Sequence, residues 1–324
     1  MTEQNVSRNP DLINGKRAYS RAALGASVII IVVSVVQIAA VILINIFIPE
    51  FKNSEYYIWT VAELPMYILG FPAGFLLLRF SVPAVKPERH KISAGAFLTA
   101  FCASMLAISV GSTVGQIVAA LTERVFGRSS ADSLDLFLDN RLLSLIFIAL
   151  IGPIFEELYF RKFVIDRVLP YGEKTAVFAS AFIFALFHGN LEQFFYAFAV
   201  GIVFGYLYIR YGTAFPGMIL HVLINLIGGV LVPWLYSNTG ETDITSVETL
   251  TNPFFYITSA IGLLRMALSF TGLILLIVFR KKIFFRRQTN ELEKSDAFRA
   301  VFLNAGMVIF IVLETANIVM SFFQ

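Results

Sequence analysis

Charged residues are scarce in this chain. Asp, Glu, Lys and Arg make up 15% of its 324 residues, while 57% are hydrophobic and 33 are Phe. An ordinary soluble domain carries roughly 25% charged residues, so this chain has too few polar side chains to cover a water-soluble globule. The composition excludes a soluble globular protein, a nucleic-acid-binding protein and a disordered regulator. It predicts a protein whose solvent is membrane lipid.

Cysteine and histidine are also rare. The single cysteine, Cys102, excludes an internal disulfide framework and a Cys-rich metal site. The three histidines are His90, His188 and His221, and we expect His90 to be solvated because it falls in a basic segment. The net charge of +3 is too small to indicate a polyanionic partner. Any chemistry that needs imidazole therefore depends on His188 and His221.

Long apolar runs, by contrast, are abundant. A helix needs ~20 apolar residues to cross about 30 Å of hydrocarbon. Nine candidate helices lie near residues 26–48, 57–78, 92–121, 142–168, 174–188, 191–209, 214–236, 255–279 and 300–322. The runs lack the short alternating pattern of a membrane barrel. The sequence predicts an all-α polytopic membrane protein with about eight to nine transmembrane helices around a central four-helix core.

Lysine and arginine are distributed unevenly between these segments. They precede the first span and follow the second and the eighth: Arg8, Lys16, Arg17 and Arg21; Arg79, Lys86, Arg89 and Lys91; Arg280, Lys281, Lys282, Arg286 and Arg287. The alternate segments 122–141 and 237–254 are poor in basic residues and carry Glu123, Asp132, Asp135, Asp139, Glu241, Asp243 and Glu248. Because positively charged loops stay in the cytoplasm, we expect a cytoplasmic N-terminus. The first span should be a signal anchor.

The fourth span contains two adjacent carboxylates, Glu156 and Glu157, followed by Arg161. A charge at the bilayer centre costs at least ~2.5–3.5 kcal/mol, so such residues are informative. Glu157 and Arg161 are four residues apart and can form an ion pair. Glu156 has no such partner and lies between Phe155 and Phe160, which makes it a candidate general base. Structural glue between helices is the alternative reading of the ion pair.

Two further spans carry polar residues at a spacing of four. Phe184 and His188 share a face of the fifth span, and His221 and Asn225 share a face of the seventh. In an upright bundle His188 would lie ~21 Å along its helix and His221 only about ten ångströms along its own. We therefore expect a tilted helix, a buried helix start or a cavity to bring them together. Taken singly, each His could be a hydrogen-bonded core residue.

Other ionisable residues lie in or near the spans without a similar grouping. We expect these to be packing or gating charges: Glu63, Arg265 and Glu314.

Together, these residues resemble the CPBP family of intramembrane proteases (CAAX protease and bacteriocin-processing, also called Abi), which includes the type II CAAX prenyl endopeptidases. Three motifs in order carry the resemblance: Glu156-Glu157-(three residues)-Arg161, Phe184-(three residues)-His188 and His221-(three residues)-Asn225. It covers roughly residues 142–236, which it identifies as a catalytic core. The cytoplasmic segment 1–25, the helices of 26–141 and those of 237–324 lie outside it.

The resemblance implies hydrolysis of a peptide bond within or at the edge of the membrane. Glu156 would deprotonate a water molecule that His188 helps to hold, while His221 and Asn225 would donate hydrogen bonds to the oxyanion. Glu157 belongs to the implied catalytic set as a neighbour that fixes the local charge. The remaining motif residues, Arg161 and Phe184, are expected to support the site.

The implied substrates are hydrophobic or lipid-modified peptides or proteins, including prenylated CAAX peptides or bacteriocin-type peptides. The compact loops indicate a prokaryotic plasma membrane.

Two mechanisms use the same residues. Glu156, His188 and His221 could also bind Zn²⁺ and leave a position open for water. We favour the glutamate scheme because the chain lacks a His-Glu-x-x-His helix and Asn is an uncommon zinc ligand.

Two other classes of function also use intramembrane Glu and His residues. A proton- or ion-coupled transporter could use them as a relay, although no inverted repeat is visible. A non-catalytic membrane regulator would need no intact motifs.

Overall fold

The computed structural model describes residues 9–126, 140–239 and 251–322, and within these ranges it contains helices and no strand. The ten main helices are α1 (Pro10–Phe47), α2 (Trp59–Ser81), α3 (Ala94–Phe126), α4 (Arg141–Tyr171), α5 (Glu173–Phe187), α6 (Leu191–Tyr211), α7 (Phe215–Ser237), α8 (Pro253–Lys282), α9 (Lys294–Phe302) and α10 (Ala305–Ser321). The predicted class of all-α polytopic membrane protein is confirmed.

All nine predicted apolar segments are helical, but two of them are not simple spans. Among the described residues, seven helices are long and apolar enough to cross a membrane, and α9 with α10, bent by 57°, could form an eighth. Helix α5 has 15 residues, and its length of about 22 Å is too short to cross about 30 Å of hydrocarbon. Its apolar composition reflects burial inside the protein, since Ala176, Ala179 and Ile183 are fully buried.

The first helix begins at Pro10 rather than near residue 26. The side chain of Asn9 caps it by accepting a hydrogen bond from the backbone N–H of Asp11. Helix α1 is therefore longer than a bilayer requires, and its first turns pack inside the protein, with Ala18 and Tyr19 buried. Several orientation signals lie outside the described residues: Arg8, Asp132, Asp135, Asp139, Glu241, Asp243 and Glu248.

The basic segments that predict orientation lie at the same end of the bundle. His90 donates its backbone N–H to the carbonyl of Tyr211, and Arg286 forms a 3.0 Å ion pair with Glu88. That arginine lowers the pKa of the exposed Glu88 carboxyl. Asn290 reaches back to Asp11 at the start of α1. One end of the bundle therefore brings together the three basic segments on which the predicted orientation depends.

A pair of glycines lets α3 approach the start of α6 closely. A Cβ atom on Gly111 would lie 2.3 Å from the Cα of Tyr196, and one on Gly115 would lie 2.4 Å from the carbonyl oxygen of Glu192. Small residues at this spacing allow membrane helices to touch backbone to backbone. Because α6 begins directly after the turn that follows His188, this contact fixes one end of that turn.

We expect Gly111→Ala to destabilise the protein. The new methyl group would overlap backbone atoms that have no free rotation, and overpacking of this kind costs about 1–3 kcal/mol. Gly262→Ala in α8 is the matched control, since nothing lies within 4 Å of its Cβ position. Thermal unfolding in detergent should show a lower midpoint for Gly111→Ala alone. Equal midpoints would contradict the close contact of α3 with α6.

Candidate active site

The two adjacent carboxylates of α4 have different surroundings. The Glu157 side chain is fully buried, whereas 19% of the Glu156 side chain is exposed. One oxygen of Glu157 accepts a 3.2 Å hydrogen bond from Nε of Arg161, and the other lies 3.3 Å from Nδ1 of His221. Glu157 is thus committed to two protein partners, and Glu156 is the accessible member of the pair.

Arg161 is a fully buried guanidinium held by several groups. Its Nη1 donates a 3.2 Å hydrogen bond to Ser180, whose hydroxyl donates in turn to the carbonyl of Phe160 at 2.8 Å. The guanidinium also lies 4.6 Å from the centre of the Phe184 ring, a favourable cation–π arrangement. Sequence reasoning missed Ser180, although residues 180, 184 and 188 repeat at intervals of four and so share one face of α5.

His221 lies between the two carboxylates. Its Nε2 is 3.5 Å from Glu156 and its Nδ1 is 3.3 Å from Glu157. One turn earlier, a Cβ on Gly217 would come within 2.9 Å of the Glu157 carboxylate, so only glycine leaves room for it. The cluster contains two acidic groups and the guanidinium of Arg161. When His221 is protonated, the four side chains sum to zero charge, which suits a dry environment.

His188 follows the last residue of α5 and contacts the same Phe184 ring as His221. Its Nδ1 is 2.8 Å from the carbonyl oxygen of Phe184. Because a carbonyl oxygen only accepts, Nδ1 carries the proton and donates it in this hydrogen bond, and Nε2 of the neutral ring is an acceptor. The Phe184 ring touches both imidazoles, with centroid distances of 4.8 Å to His188 and 5.9 Å to His221.

The two histidines lie on the same Phe184 ring, as expected if a tilt, a buried helix start or a cavity brings them together, and the start of α7 is partly covered. The turn before α7 is covered by residues 87–88, which lie within contact distance of Gly212. The first turn of α7 is itself buried at Pro216 and Gly217. The first turn of α7 is therefore partly covered by protein at Pro216 and Gly217, although Phe215 itself is exposed.

Asn225 does not hydrogen-bond to the Glu and His residues. Its Nδ2 donates a 3.0 Å hydrogen bond to the carbonyl oxygen of Ile148 on α4. Here α4 has π-helical hydrogen bonding, in which Gly152 donates to Phe147 five residues back. The next donor in this register would be Pro153, which has no N–H. The side chain of Asn225 supplies the missing hydrogen-bond donor, and this hydrogen bond fixes the position of its amide group. The second hydrogen on Nδ2 remains available for another hydrogen bond.

The described residues contain no preformed set of ligands for a metal ion. Within residues 9–126, 140–239 and 251–322, no three His, Cys, Asp or Glu side chains lie close enough together to hold a metal ion. Both nitrogens of His221 face carboxylates, and Nδ1 of His188 faces a backbone carbonyl. We derive no step through a metal, and Zn²⁺ binding by Glu156, His188 and His221 stays a prediction.

We expect Pro153→Ala to lower activity without lowering stability. The new N–H would compete for the carbonyl of Ile148 and release Asn225 from its position, while removal of a proline favours a regular helix. Peptide cleavage and thermal unfolding should be measured side by side, with Pro233→Ala in α7 as the control. Equal effects of the two substitutions on cleavage would contradict the positioning of Asn225 by Pro153.

Comparison with models of known families finds a match in the same part of the chain that holds the three motifs. A family model described as "Type II CAAX prenyl endopeptidase Rce1-like" matches residues 138–227, a range that contains all three motifs. No curated protein and no solved structure gives a significant match to the chain. Helices α1–α3 and α8–α10 lie outside the matched range. The matched range runs from the start of α4 to the middle of α7, so this helical core is similar to the type II CAAX prenyl endopeptidase Rce1-like family, and the match supports its assignment to the CAAX proteases.

Proposed function

We propose that this protein hydrolyses peptide bonds in the membrane with Glu156 as the general base. The proposal depends on the difference in exposure and in partners between the two adjacent carboxylates. Glu156 is partly exposed and faces His221 at 3.5 Å, while Glu157 is fully buried and bound to Arg161. A base must reach water and substrate, and Glu156 alone of the pair has free access.

The geometry supports the following sequence of steps. A water molecule between Glu156 and His188 donates one hydrogen bond to each, because both present acceptor atoms. Glu156 takes a proton as the oxygen attacks the substrate carbonyl, and the resulting oxyanion accepts from the free N–H of Asn225 and from Nε2–H of protonated His221. Glu156 then delivers its proton to the leaving nitrogen, so that acid and amine products form and the carboxylate is restored.

Glu157 supports this reaction through His221. A carboxylate that accepts from Nδ1–H fixes the orientation of an imidazole and stabilises its protonated form. Arg161 holds that carboxylate in place, and Ser180 holds Arg161. Phe184 packs against both imidazoles and the guanidinium. These residues would act on the reaction through Glu156 and His221 without touching the substrate.

The proposed substrates are hydrophobic or lipid-modified peptides, with prenylated CAAX peptides first because the matching family is described as a prenyl endopeptidase family. Bacteriocin-type peptides remain the second choice. We place the protein in a prokaryotic plasma membrane with its N-terminus in the cytoplasm, and the clustering of basic residues at one end of the bundle supports that orientation.

Glu156→Ala should abolish cleavage of a quenched, farnesylated CAAX peptide by the purified protein in lipid, because loss of a general base lowers the rate about 10²–10⁴-fold. His188→Ala should also be strongly impaired. Glu314→Gln is the matched control, since it removes a buried carboxylate in α10. Activity that survives in Glu156→Ala would overturn the proposal. Loss of wild-type activity with a chelator, restored by Zn²⁺, would favour the metal scheme.

Arg161→Met should lower both stability and activity, because removing one member of a buried ion pair costs about 3–5 kcal/mol. The double substitution Glu157→Gln with Arg161→Met should recover most of the stability, since no unpaired charge remains buried. It should stay inactive, because His221 has lost its charged partner. Arg299→Ala, which breaks the exposed pair with Asp296, is the control for unfolding midpoint and cleavage rate. An active double variant would contradict the role of Glu157.

A further inference from the structure

The chain is strongly basic where α8 ends. Five of the eight residues in 280–287 are Lys or Arg, none is acidic, and all eight are exposed. Within the part of the chain that the structure describes, Arg286 is the only one of the five in an ion pair, with the exposed Glu88 at 3.0 Å. Residues 280–287, named here the juxtamembrane segment, therefore present more positive charge than the described residues neutralise.

The other three residues of the juxtamembrane segment are large and apolar. Ile283, Phe284 and Phe285 are all exposed, yet two of them also contact the end of α6. The guanidinium carbon of Arg210 lies 3.9 Å from the centre of the Phe284 ring, a cation–π arrangement. The Phe285 ring meets that of Tyr206 edge-on at 5.7 Å. These contacts hold cations and exposed apolar side chains together on one surface.

The position of this surface favours a lipid partner. Helix α8 is the least buried of the seven candidate spans among the described residues, so most of it faces lipid, and the juxtamembrane segment begins where that span ends. Cations next to a transmembrane helix attract anionic headgroups, and apolar side chains beside them can enter the boundary between headgroups and acyl chains. A nucleic acid or an acidic soluble protein would match the cations but not the exposed Ile and Phe side chains.

The juxtamembrane segment and the residues after it are tied to the turn between α4 and α5. The buried carboxylate of Glu173, the first residue of α5, accepts a 2.6 Å hydrogen bond from the backbone N–H of Arg286 and a 3.3 Å hydrogen bond from Nε2 of Gln288. The backbone N–H groups of Asn290 and Leu292 donate to carbonyl oxygens of the turn at 3.2 and 3.3 Å. The segment is thus joined to the start of the helix that supplies the partners of the buried guanidinium.

We propose that the juxtamembrane segment binds the headgroups of anionic phospholipids, and that lipid bound there holds the α4–α5 turn in place through Glu173. The headgroups neutralise cations that otherwise repel one another. They thereby fix the backbone of Arg286 and the side chain of Gln288, which both donate to Glu173. The inference concerns lipid binding and local stability, so it does not depend on the proposed endopeptidase activity.

Lipid binding can be measured by native mass spectrometry of the purified full chain in detergent, titrated with phosphatidylglycerol or with phosphatidylcholine. Wild type should bind phosphatidylglycerol more tightly. The double substitution Lys281→Ala with Arg287→Ala should weaken that binding about tenfold and leave phosphatidylcholine binding unchanged. Lys52→Ala with Arg124→Ala is the matched control, because it also removes two exposed cations. Added salt should reduce the preference of wild type by screening.

Equal affinities of wild type for the two lipids, or equal losses in the two double variants, would overturn the proposed binding surface. Unfolding midpoints identify a double variant that fails to fold, in which case the salt dependence of wild type decides, and a preference for phosphatidylglycerol that salt does not reduce would overturn the proposal.

The link to α5 can be measured by hydrogen–deuterium exchange in lipid nanodiscs. Phosphatidylglycerol added to phosphatidylcholine nanodiscs should slow exchange in peptides that cover residues 169–176 of wild type. Glu173→Ala should still bind phosphatidylglycerol but lose this protection, and Glu173→Gln, which keeps one acceptor oxygen, should lose part of it. Protection that is absent in wild type, or unchanged in both Glu173 variants, would overturn the link.

Discussion

The buried ion pair between Glu157 and Arg161 is the interaction on which the rest of the site depends. Two charges in a dry interior are tolerated only when each has partners for its remaining hydrogen-bonding atoms. Arg161 donates from Nη1 to Ser180 of α5 and lies against the face of the Phe184 ring, although its Nη2 has no hydrogen-bond partner among the described residues, and Glu157 has a second partner in His221 of α7. The need to satisfy one ion pair therefore draws three helices together and leaves Glu156, the adjacent carboxylate, at the edge of the cluster.

Small residues and proline then decide how closely those helices meet. Gly217 leaves space for the Glu157 carboxylate beside α7, and Gly152 leaves space for the Tyr67 hydroxyl beside α4. Pro153 removes one backbone donor from α4, and the amide of Asn225 replaces it. In lipid, an unpaired carbonyl is costly because no water can take the place of the missing donor. The missing backbone donor in α4 thus fixes the position of Asn225, a motif side chain of α7.

The sequence predicts the class of fold and the Glu157–Arg161 ion pair better than it predicts how the helices are joined. Apolar length identifies every helix in the described residues that is long and apolar enough to cross a membrane, and the spacing of Glu157 with Arg161 predicts their ion pair, which the structure contains. Apolar length does not distinguish burial in protein from burial in lipid, so α5 reads as a span. The tie between Asn225 and Ile148 depends on a π-helical register that no hydrophobic pattern reveals.

Access to Glu156 differs from access to every other ionic group in the cluster. Glu157 and Arg161 are fully enclosed, and His221 is nearly so, yet 19% of the Glu156 side chain remains exposed. A cluster that served only to hold helices together would gain nothing from leaving one carboxylate uncovered, since an exposed pair contributes little to stability. A hydrolase needs this asymmetry, because its base must meet water and substrate while the groups that orient it stay dry. The exposed carboxylate thus favours catalysis over structural glue for this part of the chain.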